Sequence, residues 1–268
     1  MFNKVKHLIS ALLIGCLVLS MSVTAFAAST EQPDSDFDAG QTVVFDGVTY
    51  QRDNLSDTTI AWLNWYNELS DNQQEMVSYV PSELFDAQVL RSALKAIDAV
   101  YPNDNLSVKS SETGAPVYNP DWWNDSSRIK KANCYAYAMD VIQNFEGKLQ
   151  PGQLAGSVYD SLTESSIYNA VVKDGPYLGD GRSIRRLTAN DSVGANEYKV
   201  ALVIAPNKDY HWYVLNTNGY WSHKRGQTEV TNVDASGKKI TNPQTCDRDY
   251  GGGLNYSTFC NYYIVTRG

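Results

Sequence analysis

Three side chains in this sequence are of types that can trade protons and make covalent bonds, and their spacing lets a fold bring them together. Cys134 follows Asn133 in the run Lys130-Lys131-Ala132-Asn133-Cys134-Tyr135-Ala136-Tyr137-Ala138. Asparagine is a favoured N-cap, so the sequence predicts a helix that opens on the cysteine and runs over 133–145, with Gly147 and Pro151 stopping it. At a helix start, the free backbone N–H groups and the dipole favour a thiolate, and Lys130 and Lys131 add positive charge. Read alone, the same cysteine is equally a small buried thiol, since free cysteine is among the most buried residue types.

His211 and His223 are the only imidazoles after residue 27. They flank Trp212-Tyr213-Val214-Leu215-Asn216-Thr217-Asn218-Gly219-Tyr220-Trp221-Ser222, which reads as strand, turn and strand. A three-residue loop, Thr217-Asn218-Gly219 with Gly219 left-handed, sets Tyr213 opposite His223 and puts His211 diagonally on the same face. A two-residue loop would send the histidines to opposite faces. Two imidazoles beside a thiol suit nucleophilic catalysis, one taking the thiol proton and the other fixing its partner's orientation. Asn133, Asn216 and Asp234 are reserves for the third member or the oxyanion donor. The plain alternative is a pair of hairpin histidines among aromatics. A zinc site from Cys134, His211 and His223 lacks the short local spacings that make zinc motifs specific, so no metal or other cofactor is expected.

The elements that must position these residues are legible as periodicity. Thr42–Phe45 and Val48–Tyr50 around Asp46-Gly47 make a short hairpin with a type I′ turn. Ser56 caps a segment with Ile60, Trp62, Leu63, Tyr66 and Leu69 at helical spacing. Ser70 to Gln73 is a capping box, and Ser82 heads a third helical pattern carrying Leu84, Phe85, Val89, Leu90, Leu94 and Ile97. Pro102 to Pro120 is rich in Asn, Ser, Gly and Pro. Beyond it come a second helix near 159–172 and apolar runs at 198–204, 211–215, 220–223, 229–233 and 259–265. Helices first and an antiparallel meander later is an α+β arrangement. The expected division is a leader (1–27), an acidic stretch (28–41), a hairpin-plus-helix module (42–101), a linker (102–120) and an α+β catalytic domain (121–268).

At Asn-Cys opening a helix, the Pro-Gly-Gln-Leu turn at 151–154 and His-x11-His across a hairpin, the chain resembles the NlpC-type branch of papain-like cysteine peptidases. The resemblance covers about 121–225. It implies a papain-like helix packed on an antiparallel sheet, with Cys134 as nucleophile, His211 as base and His223 orienting it. It also implies a peptide or peptidoglycan-like substrate and a cell-wall setting.

The leader has Lys4 and Lys6, an apolar run from Leu8 to Val23 and Ala25-Phe26-Ala27, the signature of a secretory signal peptide. The expected place is therefore secreted, extracellular or at the cell envelope, with no membrane association after cleavage. A formal net charge of −8 lacks the basic footprint of a phosphate-backbone binder, so nucleic acid is not an expected partner. Cys246 and Cys260 flank Gly251-Gly252-Gly253; they read either as a disulfide or as a pair in which Cys260 is a buried strand thiol. Trp122, Trp123, Trp212 and Trp221 line a substrate groove or, as strand aromatics often do, merely pack the sheet. Two functions follow. One is a secreted cysteine hydrolase, a thiol protease or amidase working through Cys134, His211 and His223. The other is a non-enzymatic exported module that binds glycan or a cell-surface polymer through an aromatic face.

Overall fold

Asp46 and Gly47 both take left-handed backbone angles (φ 49° and 75°), as a type I′ turn demands, and they join Thr42–Phe45 (β1) to Val48–Gln51 (β2). The computed structural model describes residues 41–85, 97–99, 114–144 and 147–268. The expected leader, the acidic stretch up to residue 40 and most of the expected linker lie outside the described residues.

The helix caps form where the sequence places them. Thr59 N donates to Ser56 Oγ (3.3 Å) at the start of Asp57–Glu68 (α1). Ser70 N and Ser70 Oγ both donate to Gln73 Oε1 at the start of Asp71–Met76 (α2). The third helical pattern does not begin as expected. Ser82–Leu84 is one 3-10 turn, Phe85 is already extended, and Ile97–Ala99 is a strand (β3); positions 86–96 are outside the described residues. The Leu84 carbonyl accepts from Tyr50 Oη instead of continuing a helix, which draws the chain into the apolar layer.

Pro120–Trp123 (α3) is capped by Asn119, and Cys134–Ala138 (α4) by Asn133. The helix expected over 133–145 stops after five residues. Met139 leaves helical geometry and Asp140 is left-handed (φ 54°), its carboxylate paired with Arg267. The β-branched Val141 and Ile142 that follow enter Val141–Gln143 (β4), which pairs with β3. The next helix, expected near 159–172, is Glu164–Asp174 (α5), because Thr163 rather than an earlier residue caps it.

Five antiparallel strands follow: Arg182–Arg186 (β5), Glu197–Ala205 (β6), Asp209–Leu215 (β7), Trp221–Lys224 (β8) and Val230–Thr231 (β9). With Thr258–Arg267 (β10) they form one sheet ordered β5-β10-β6-β7-β8-β9. The fold is α+β. β5 escaped the sequence reading because Arg-Ser-Ile-Arg-Arg offers a single apolar residue to the core.

Pleating sorts the core into two layers. On one face Tyr198, Val200, Leu202, Tyr210, Trp212 and Val214 pack against α4 and α5. On the other, Ala201, Val203, Ala205, Tyr213 and Trp221 meet Trp62, Leu63 and Leu69 of the α1 segment. Trp62 fixes that second layer, its Nε1 donating to the Lys208 carbonyl (2.8 Å) while its ring is buried. Residues 40–268 are a single compact unit, so the segment carrying α1 and α2 shares its core with the sheet.

Candidate functional site

The hairpin between β7 and β8 sets the geometry of the site. Gly219 is left-handed (φ 81°), the loop has three residues, and Tyr213 lies opposite His223. His211 and His223 therefore share a face, and their rings meet: His211 Nε2 lies 2.8 Å from His223 Nδ1, and His223 Nε2 lies 3.0 Å from the Val233 carbonyl. A carbonyl can only accept, so His223 Nε2 carries its hydrogen. Neutral His223 then accepts at Nδ1, His211 donates from Nε2, and His211 Nδ1 is left as a bare lone pair. That nitrogen is buried and has no partner among the described residues. Both rings are fully buried. Burial, with the Arg225 guanidinium nearby, takes His223 down to about 3; burial, His223 and Arg225 hold His211 well below the usual imidazole range.

Cys134 occupies the first position of α4, as expected. Asn133 Oδ1 accepts from Ala136 N (3.2 Å) and Asn133 Nδ2 donates to the Leu149 carbonyl (2.8 Å), so Asn133 is a cap rather than an oxyanion donor. The sulfur is fully buried and sits 3.8 Å from the Tyr210 carbonyl. The expected thiolate is not supported. A five-residue helix carries little dipole, and Lys130 is paired with Glu75 rather than with sulfur. Burial, followed by the Asp209 carboxylate, pushes the thiol far above its ordinary range. Helix α4 lies against the face carrying Tyr210, Trp212 and Val214, whereas the pleat turns His211 and Tyr213 the other way. Among the described residues no hydrogen bond joins the sulfur to either ring. The structure thus pairs the imidazoles and leaves the thiol with a backbone partner.

The remaining expected residues fall mostly into structural roles. Asn216 is buried, and its Nδ2 donates to the Pro116 carbonyl. Asp234 organises its own loop, accepting from the backbone N–H groups of Ser236, Lys238 and Asp247. The tryptophan groove is corrected: Trp123, Trp212 and Trp221 are buried in the core, and half-buried Trp122 lies beneath the Arg128 guanidinium (4.7 Å). The disulfide is corrected too. Cys246 and Cys260 are free thiols that pack on opposite layers of the sheet, Cys260 with the α4 side and Cys246 with the α1 side.

The sequence reading missed two buried charges beside the site. Asp209, at the head of β7, accepts from Tyr79 N (2.7 Å), Ser78 N (3.1 Å) and Tyr256 Oη (2.7 Å). Burial nevertheless raises it to about 6 against those donors. Lys224 closes β8 with its Nζ donating to the Ile129 and Thr228 carbonyls, and burial lowers it to about 7. The available signal was a charged residue at each end of a hairpin that carries no other Asp, Glu, Lys or Arg.

Over 131 residues the chain is 38% identical to insoluble matrix shell protein 1 of Ruditapes philippinarum, a match that spans 49% of this chain and 80% of that protein. No protein-family model matches the chain, and no solved structure matches it. The likeness overturns the expectation of a hydrolase, a cysteine peptidase or thiol protease, because the relative is by name an insoluble matrix shell protein.

Proposed function

The chain belongs to the family of insoluble matrix shell protein 1, and from that premise we propose that it is a non-enzymatic extracellular module that holds to an extracellular polymer. The observation that carries this reading is the state of the three reactive side chains. Cys134, His211 and His223 are wholly buried, the thiol is held protonated and the imidazoles are held neutral. A nucleophile in that condition has neither access nor charge, whereas a cross-braced core suits a module that has to persist. The matrix relative supports a place outside the cell, and the basic-then-apolar leader agrees. Within that space the chain is held in the insoluble phase rather than released.

Co-sedimentation with chitin, cellulose and peptidoglycan particles tests the reading. Full-length protein is expected to pellet with at least one of them, and Cys134→Ala is expected to pellet equally. Fast adduct formation at Cys134 with a thiol-trapping peptide electrophile at neutral pH, or loss of pelleting in Cys134→Ala, would overturn it.

A further inference from the structure

Away from the imidazole pair, the described residues form a cleft of about 410 Å³ between helix α5 and the loop over 157–163 that leads into it. Small-molecule sites fall within about 300–1,000 Å³, so the cleft is large enough to hold a ligand. One wall is the helix. Ser165, Asn169 and Lys173 stand four residues apart and form a row along one face, while Ile167, Val171 and Asp174 are buried on the opposite side. The row spans about 12 Å at a rise of about 1.5 Å per residue, and all three side chains are exposed. The facing wall is the loop, which carries Ser157, Asp160 and Ser161. Two ties hold the walls together: Lys173 Nζ donates to Ser157 Oγ (2.8 Å) and Ser166 Oγ donates to Asp160 Oδ1 (2.7 Å). Tyr159 anchors the loop from behind, its buried hydroxyl donating to Gln150 Oε1 (2.8 Å). A ligand therefore meets walls already set, which spares it the cost of ordering them.

The chemistry of the walls defines what fits. The Ser165 hydroxyl and the Asn169 amide make no hydrogen bond among the described residues, and Lys173 keeps two N–H groups beyond the one given to Ser157. The Ser166 and Ser161 hydroxyls hold Asp160 below the ordinary carboxylate range, so it is a charged acceptor at neutral pH. Asn169 sets a donor and an acceptor side by side. Donors and acceptors are thus mixed along the cleft, with one charge of each sign. A run of anions would meet Asp160 and a run of cations would meet Lys173. Hydroxyls both donate and accept, and they carry no charge to be repelled. We infer that the cleft between α5 and the 157–163 loop binds two or three sugar units of a neutral polysaccharide. The inference rests on the polymer-holding function proposed above and names the site and the class of polymer that serve it.

Calorimetric titration of the full chain with neutral cellotriose and triacetylchitotriose, anionic trigalacturonate and cationic triglucosamine tests it. At least one neutral trisaccharide is expected to bind at least about tenfold more tightly than either charged one, since each charged chain meets a like charge. Asn169→Ala removes both polar atoms from an exposed helix position and is expected to weaken that binding about fivefold to tenfold. Val172→Ala, at an exposed position of α5 outside the cleft, is expected to leave it unchanged. No binding of either neutral sugar, equal or tighter binding of a charged one, undiminished affinity in Asn169→Ala, or an equal loss in Val172→Ala would overturn the inference. Pelleting with insoluble polymer separates the two claims. Protein that pellets but ignores both neutral trisaccharides sinks only the site, whereas failure to pellet with any of the polymers sinks the function beneath it.

Discussion

At the scale of single residues, the decisive contrast is between a thiol and two imidazoles that lie near the same strand yet do different work. Cys134 fills space under the Tyr210 carbonyl, and burial with the Asp209 carboxylate outweighs the hydrogen bonds from Ser78, Trp212 and Tyr135 that favour its ionised form. Cys134→Ala is therefore expected to fold and to lose about 1–2 kcal/mol, the cost of a small void, in urea denaturation. In native protein at neutral pH, alkylation should reach half-buried Cys246 before Cys134; the order of adducts by peptide mass mapping checks it. The hairpin register and the shared face of the histidines were legible from one glycine, because Gly219 at the third loop position selects the loop length. The protonation state of Cys134 was not. It depends on burial and on Asp209, seventy-odd positions away in sequence, and no local pattern encodes either.

Among the elements, those that formed as the sequence suggested are the ones whose ends are set by side chains within three residues: Ser56 for α1, Ser70 with Gln73 for α2, Asp46-Gly47 for the first hairpin. Helix α4 departed from expectation because its end is set at a distance, where Arg267 holds Asp140 and β3 receives Val141 and Ile142. The same distinction locates the weakest joint. Gly226 is left-handed (φ 46°), and a Cβ there would land on the Glu75 carbonyl oxygen just where Gln227 N donates to it (2.9 Å). Gly226→Ala is expected to push α2 off the β8–β9 turn and to cost about 2–4 kcal/mol, read as a shift of the denaturant midpoint. Gly237→Ala, also left-handed but in open space, should cost only about 1 kcal/mol and serves as its control.

At the largest scale, the compact unit of residues 40–268 is a sheet braced on both faces, and its buried charges give it a particular response to acid. His211 and His223 have folded-state values below 6.5, so they withdraw stability as pH falls past 6.5, His223 doing so until about 3. Asp209 and Asp174 lie near 6 in the folded state, above the ordinary 3.8, so they add stability as pH falls from about 6 to 3.8. The two pairs oppose each other across that window. Guanidinium midpoints followed by tryptophan fluorescence should therefore be nearly flat from about pH 6 to 4 and fall steeply below it. A steady decline from 6.5 downward would mean that the carboxylates ionise normally. The brace from the first layer is also measurable: Trp62→Ala should cost about 3–5 kcal/mol, because it removes both a buried ring and the bond to Lys208.

The borders of the six-stranded sheet have a consequence for assembly. One border strand, β5, carries Arg185 and Arg186 in ion pairs with Asp191, Glu197 and Glu164, and the other, β9, is only two residues long. Neither offers a long, uncharged rail on which a neighbouring copy could continue the hydrogen-bond ladder. Material rich in this protein should accordingly be amorphous in fibre diffraction, without the meridional reflection near 4.7 Å that stacked ribbons give, and its cohesion must come from surfaces and glue.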